Sequence, residues 1–171
     1  MLLLKFLQSL VKALNSDGTP GQVAAGIALG AVFGLTPLLN LHNLVLFVLA
    51  IILNVSFPGV MLGWLLFLPV GFALDPVFDA VGRMLLVGTP ALHAFWTWGY
   101  NTPLVALTNF NNTVVLGSVV VWAAALLPLF VLFRWLVAKY RATVYARLQR
   151  TRLFQAVKAS KVYNLYTLFQ P

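Results

Sequence analysis

Long apolar runs alternate with short polar breaks along this chain, and the breaks predict where its helices start and stop. Over residues 1–15, Lys5, Gln8, Lys12 and Asn15 recur at spacings of three and four, while Leu3, Leu4, Phe6, Leu7, Leu10, Val11 and Leu14 fill the remaining arc. That pattern predicts an amphipathic helix with a narrow cationic face, suited to lie in a membrane interface. Its apolar residues precede any charge and no small-residue cleavage site follows, so a signal peptide is not expected. Ser16-Asp17-Gly18 ends this helix. Thr19-Pro20 then opens the next, with Thr as N-cap and Pro at the first helical position, where a missing N–H costs nothing.

Four apolar segments are expected within a membrane domain of residues 16–135: 22–38, 41–55, 58–74 and 113–135. The first two join through the polar apex Asn40-Leu41-His42-Asn43. At 1.5 Å per residue each reaches only ~25 Å, short of the ~30 Å hydrocarbon core. They read either as two short spans or as the arms of a re-entrant hairpin. Pro58 opens the third segment and Pro69 interrupts it. The fourth carries no charge before Arg134 and has Pro128 as a kink site. Residues 75–112 hold Asp75-Pro76, Gly88-Thr89-Pro90, an aromatic cluster and Asn109, Asn111 and Asn112, which predicts short interfacial helices. Residues 136–171 read as a basic helix or tail.

Charge then decides the solvent. Between Asp17 and Arg134 the only charged residues are Asp75, Asp79 and Arg83. The whole chain is 8% charged and 61% hydrophobic, against about 25% charged in a soluble domain. Such a surface cannot face water, so the expected class is an all-α polytopic membrane protein. The net charge of +8 is lopsided: eight of the eleven cations lie at or after Arg134, and Lys5 and Lys12 lie at the other end. Arg134, Lys139, Arg141, Arg147, Arg150, Arg152, Lys158 and Lys161 therefore read as contacts for anionic lipid on the cytoplasmic leaflet, not for nucleic acid. Lys139, Arg150 and Lys161 fall eleven residues apart, close to three helical turns, so they share a face. With both termini cytoplasmic, Arg83 alone is outside, and residues 75–112 face the periplasm of a bacterium.

Candidate chemistry is sparse. Gly26, Gly30 and Gly34 recur every fourth residue, and Gly59 and Gly63 repeat the spacing, which marks helix-packing faces within one protomer or between protomers. Asn40, His42 and Asn43 either cap helix ends or contact a lipid headgroup or partner. Asp75, Asp79 and Arg83, at i, i+4 and i+8, share one face and allow Asp79 to pair with Arg83; they either mark the water boundary at a span end or contact lipid or a partner. Phe95, Trp96, Trp98 and Tyr100 are outward candidates for contact with a partner or with acyl chains. The chain has no Cys and no Glu, its two His lie in no motif, and no Ser lies in a nucleophile elbow. Catalysis, a cofactor and a metal are not expected, and midplane carboxylates for proton coupling are not visible.

The run Thr19-Pro20, Ala24-Ala25-Gly26-Ile27-Ala28-Leu29-Gly30, Gly34-Leu35-Thr36-Pro37 and Leu41-His42-Asn43 resembles an uncharacterised bacterial inner-membrane family with a Pro/Gly-zipper hairpin motif. The resemblance covers roughly residues 16–90. The branch it is most similar to tends to be encoded beside a large AsmA-like protein, which resembles bridge-type lipid-transfer proteins. It implies an inner-membrane anchor or subunit of a phospholipid transport system, assisting lipid entry toward the outer membrane, with membrane phospholipids and the AsmA-like protein as partners. No catalytic residues come with the resemblance. The alternatives are a homo-oligomeric small channel or transporter built on the glycine faces, and a membrane-surface scaffold acting through the basic tail.

Overall fold

The computed structural model describes residues 18–145, and among these every regular element is helical. In chain order they are α1 (Pro20–Leu35), α2 (Leu41–Ile52), α3 (Phe57–Leu86), α4 (His93–Tyr100), α5 (Pro103–Ala106) and α6 (Thr113–Tyr140). A 3-10 turn, Pro90–Leu92, precedes α4, and a π turn, Arg141–Tyr145, continues α6. The amphipathic helix expected over 1–15 and the tail cations from Arg147 to Lys161 lie outside the described residues.

Local chemistry sets the boundaries. At the start of α1 the Thr19 hydroxyl accepts from the Gln22 N–H at 3.2 Å, and the Gln22 side chain accepts from the Thr19 N–H at 2.8 Å. This capping box, with Pro20 following, satisfies donors that would otherwise be orphaned. α1 stops at Leu35, not at the expected residue 38, because Pro37 drives Thr36 into extended backbone (φ −111°, ψ 151°). α2 stops at Ile52, short of the expected 55, where the chain turns through Asn54 at φ 51°, a left-handed geometry that Asn tolerates.

The largest correction concerns the third segment. α3 does not end at residue 74 but runs to Leu86, so residues 75–86 are its last turns and not a separate short helix. Pro69 and Pro76 lie inside it. Each removes an intrahelical N–H bond, yet α1 and α6 pack along the helix and hold its course, as neighbouring helices do for prolines in membrane bundles.

Three helices form the core. α1 and α3 run parallel with their backbones in contact. A Cβ on Gly30 would overlap the Val60 carbonyl, and one on Gly63 would overlap the Ile27 carbonyl. Gly26 faces Ser56 and Gly59, Gly34 faces the Phe67–Leu68 peptide, and Gly59 faces the Val23 carbonyl. All five glycines picked out by spacing thus sit in one seam within the protomer. The partner of α1 across that seam is α3, not α2, as a hairpin of two packed arms would require. The sequence of α2, LHNLVLFVLAII, has no glycine and cannot approach so closely.

α6 returns antiparallel along both. Gly82 lies against the Thr113 carbonyl and Gly117 against the Phe78 carbonyl, and the buried Trp122 donates its Nε1–H to the Ala28 carbonyl at 2.9 Å. At the opposite end Arg141 Nη1 donates to the Gly18 carbonyl at 2.8 Å. The start of α1 and the end of α6 are therefore side by side. α1 is buried along most of its length, with Val23, Ile27, Ala31 and Val32 fully enclosed.

α3 and α6 are each long and apolar enough to cross a membrane. Only 28% of the most apolar stretch of α3, and 22% of that of α6, is buried inside the protein. The core helices of a water-soluble protein would be covered; these present Phe72, Leu127, Val131 and Trp135 outward. The result is an apolar belt suited to lipid.

The seam can be tested by adding side chains. Gly30→Leu is expected to destabilise the protein by about 3 kcal/mol, since a tightly packed contact has no room for it. Gly21→Ala, whose Cβ would meet only the Thr19 hydroxyl at 3.8 Å, is expected to be neutral or to stabilise by about 0.5–1 kcal/mol through helix propensity. Thermal unfolding in detergent micelles measures both, and equal behaviour of the two would refute close packing.

Candidate functional site

Beyond α1 the backbone carbonyls of Pro37 and Leu38 are left without helical partners, and side chains of the next turn satisfy them. Asn43 Nδ2 donates to Pro37 O at 2.8 Å and to Leu38 O at 3.2 Å, and Asn40 Nδ2 donates to Pro37 O at 2.6 Å. The Thr36 hydroxyl lies 2.9 Å from Val32 O and 3.1 Å from Asn43 Oδ1, with one proton to share between them. Asn40 and Asn43 thus hydrogen-bond the carbonyls freed beyond α1, although Asn40 makes no side-chain cap bond to α2.

The loop after α5 closes over this turn. Asn109, held at φ 55°, donates to Asn40 Oδ1, and the Leu41 N–H donates to Leu107 O at 3.2 Å. His42 Nδ1 lies 3.2 Å from the Thr108 carbonyl. A carbonyl can only accept, so Nδ1 carries the proton and Nε2 is left as an acceptor, buried and without a partner.

The turn stands as a ridge between two apolar grooves of about 580 and 550 Å³, both walled by Phe33, Leu38 and Leu39. Leu39, at the crest, is 93% exposed. The first groove continues along Leu44, Phe47, Met61 and Trp64, and the Nε1–H of Trp64 is buried without an acceptor. The second continues along Leu68, Phe72 and Val114 to the carboxylate of Asp75.

Asp79 is used structurally. Its carboxylate accepts from Arg83 Nε at 2.8 Å and from the Thr113 hydroxyl, which fastens the end of α3 to the start of α6. The Arg83 side chain is 70% exposed, so solvent screens the ion pair and it adds little to stability. Among the aromatics, Trp96 turns inward: it donates to Leu85 O at 2.9 Å and stacks on Phe110 at 5.5 Å. Phe95, Trp98 and Tyr100 remain outward. Of the basic residues, Arg134 is exposed, Lys139 sits 4.7 Å above the Trp135 ring, and Arg141 holds Gly18.

Several participants were not singled out from the sequence: Thr36, Trp64, Thr108, and the role of Asn109 opposite Asn40. Asn109 was visible only as one of three clustered Asn residues, and nothing in its neighbourhood points to a partner so distant along the chain.

Asn43→Ala removes a buried amide and takes one of two donors from each of the Pro37 and Leu38 carbonyls, which keep Asn40 Nδ2 and the Asn40 N–H respectively. It is expected to cost about 1–3 kcal/mol by thermal unfolding. Asn112→Ala removes only the N-cap of α6, whose Oδ1 accepts from Val114 and Val115 N–H, and is expected to cost about 1 kcal/mol.

No solved structure matches this chain. It is 28% identical over 156 residues to a protein of Treponema pallidum (strain Nichols) described only as "Uncharacterized protein", a match covering 91% of this chain and 96% of that protein. A family described as "Uncharacterized protein conserved in bacteria (DUF2062)" matches residues 4–145, well beyond the 16–90 over which the resemblance was expected. The match takes in the whole α1–α6 bundle, and the chain belongs to this family.

Proposed function

We propose that this protein is a non-enzymatic bacterial inner-membrane subunit that anchors the membrane end of a large periplasmic AsmA-like partner and eases phospholipid into that partner's groove. The observation that carries this reading is the pair of apolar grooves on either side of the exposed Leu38–Leu39 ridge. Grooves of this size and lining suit chain-like apolar ligands, and the ridge is held rigidly by the turn beneath it. Phe95, Trp98 and Tyr100 give a second exposed surface for the partner.

The proposed orientation puts both termini in the cytoplasm. The contact of Arg141 with Gly18 supports it, because the chain enters and leaves the described bundle side by side, and the sequence beyond each of these points is cation-rich. The glycine faces on which a homo-oligomeric channel would be built are already filled inside the protomer, which favours the subunit reading over that alternative. The scaffold alternative places the activity in the tail.

Cross-linking and co-purification of the full chain from native bacterial membranes tests the proposal. A large periplasmic protein is expected to be recovered, and replacing Phe95, Trp98 and Tyr100 together with Ser is expected to reduce its recovery about tenfold, the loss of two or three exposed aromatic contacts. Recovery of the protein with no such partner overturns the reading. Deleting residues 146–171, which leaves α6 and the Arg141 contact in place, is expected to retain the partner; loss of all activity on that deletion favours the scaffold.

A further inference from the structure

The two grooves differ in one respect: the second has a carboxylate in its wall. Asp75 is the only charged side chain lining either groove. Among the described residues it has no hydrogen bond and no ion pair, since Arg83, two turns further along α3, is taken by Asp79. Asp75 is half-buried, so its carboxylate is open to a cation that enters the groove. Its depth is also set by the helix. From Phe57 to Asp75 α3 rises roughly 27 Å at 1.5 Å per residue, close to the thickness of a hydrocarbon core, which puts Asp75 near a headgroup layer when α3 begins at the opposite interface.

The shape adds a second constraint. Phe33, Leu38 and Leu39 wall both grooves, so one ridge divides a single site into two channels. A docking helix presents one continuous surface and would meet the ridge crest first. Two flexible chains joined at one end fit on either side of it. Resting on the membrane reading above, we propose that one diacyl phospholipid with a primary-amine headgroup straddles the Leu38–Leu39 ridge, an acyl chain in each groove and its ammonium paired with Asp75. A phospholipid with an anionic glycerol headgroup would meet the same carboxylate with repulsion.

The test uses the isolated full chain in nanodiscs of equal phosphatidylethanolamine and phosphatidylglycerol, with retained lipids identified by native mass spectrometry. Phosphatidylethanolamine is expected to be enriched by about fivefold to tenfold, the scale of one charge-assisted contact at a partly wet site. Asp75→Asn is expected to abolish the enrichment, whereas Asp75→Glu and Asp79→Asn keep it. N-acetylated phosphatidylethanolamine, offered to the unmodified protein, is expected to show no enrichment, so the idea stays testable even if the Asn variant does not fold. Retention of no lipid, preference for phosphatidylglycerol, an unchanged ratio in Asp75→Asn, or a change only in self-association overturns the proposal. No partner is present in this experiment, so its failure is distinct from failure to recover an AsmA-like protein.

Discussion

Direct contact between the backbones of α1 and α3 is the constraint on which the rest of this structure depends. In lipid the hydrophobic effect does not drive one apolar helix against another, so association rests on van der Waals contact and on hydrogen bonds. Gly30 against Val60 and Gly63 against Ile27 bring main chains together where any side chain would hold them apart. α1 needs this support. At 16 residues, about 24 Å, it is short for a free-standing span, and it is enclosed by protein along most of its length. The position of its C-terminal turn, and of the grooves on either side, follows from how α1 is seated.

α6 locks that seating from the other side. Its glycine contact at Phe78 and the Trp122 hydrogen bond to Ala28 tie it to both members of the parallel pair. The Ala28 carbonyl also serves its own helix, so Trp122 uses a second lone pair and leaves no helical bond unmade. Where α1 runs out, the loop after α5 takes over, and Thr108 and Asn109 complete the turn that Thr36, Asn40 and Asn43 begin. The Pro37 and Leu38 carbonyls freed by this turn find donors in Asn40 and Asn43, which is what irregular backbone away from water requires.

Spacing made part of this legible. Glycines at every fourth residue name a helix face, and the five chosen that way do share a seam. Gly71 makes an equally close contact and falls eight residues after Gly63, in phase with that spacing but with Phe67 at the intervening position, whereas Gly82 and Gly117 stand alone in the sequence. Spacing alone does not name the seam's partner: α1 packs on α3, its neighbour in space, while glycine-free α2, its neighbour along the chain, links the two without joining their interface. Pro69, Pro76 and the charges near them suggested a helix end, since proline removes a bond and charge seeks water. Packing from α1 and α6 outweighs the first, and the pairing of Asp79 with Arg83 and Thr113 satisfies part of the second. The caps at Thr19, Ser56 and Asn112 were readable or nearly so, because capping is local. The bond between Asn109 and Asn40 was not, because it joins residues 69 apart.

α2 shows how such a bundle could act on lipid. Its first turn is fixed by Asn43, His42 and the Leu107 carbonyl, and Asn54 beyond its end accepts from Gln22. Between these anchors most of its large apolar side chains point away from protein, among them Leu44, Val45, Ile51 and Ile52. The helix is thus fixed at both ends and presents an exposed apolar face along its length. Its 12 residues reach about 18 Å, and the neighbouring α1 about 24 Å, against a hydrocarbon core of about 30 Å. A bilayer meeting so short a surface thins locally or tilts its chains, at a fraction of a kcal/mol for each ångström of mismatch. That cost falls on the lipids beside the Leu38–Leu39 ridge, which are the ones the proposed function requires to leave the leaflet. Mismatch beside the hairpin and grooves at its tip would then act in the same direction: the first makes the bilayer a less favourable place for those lipids, and the second gives their chains somewhere apolar to go.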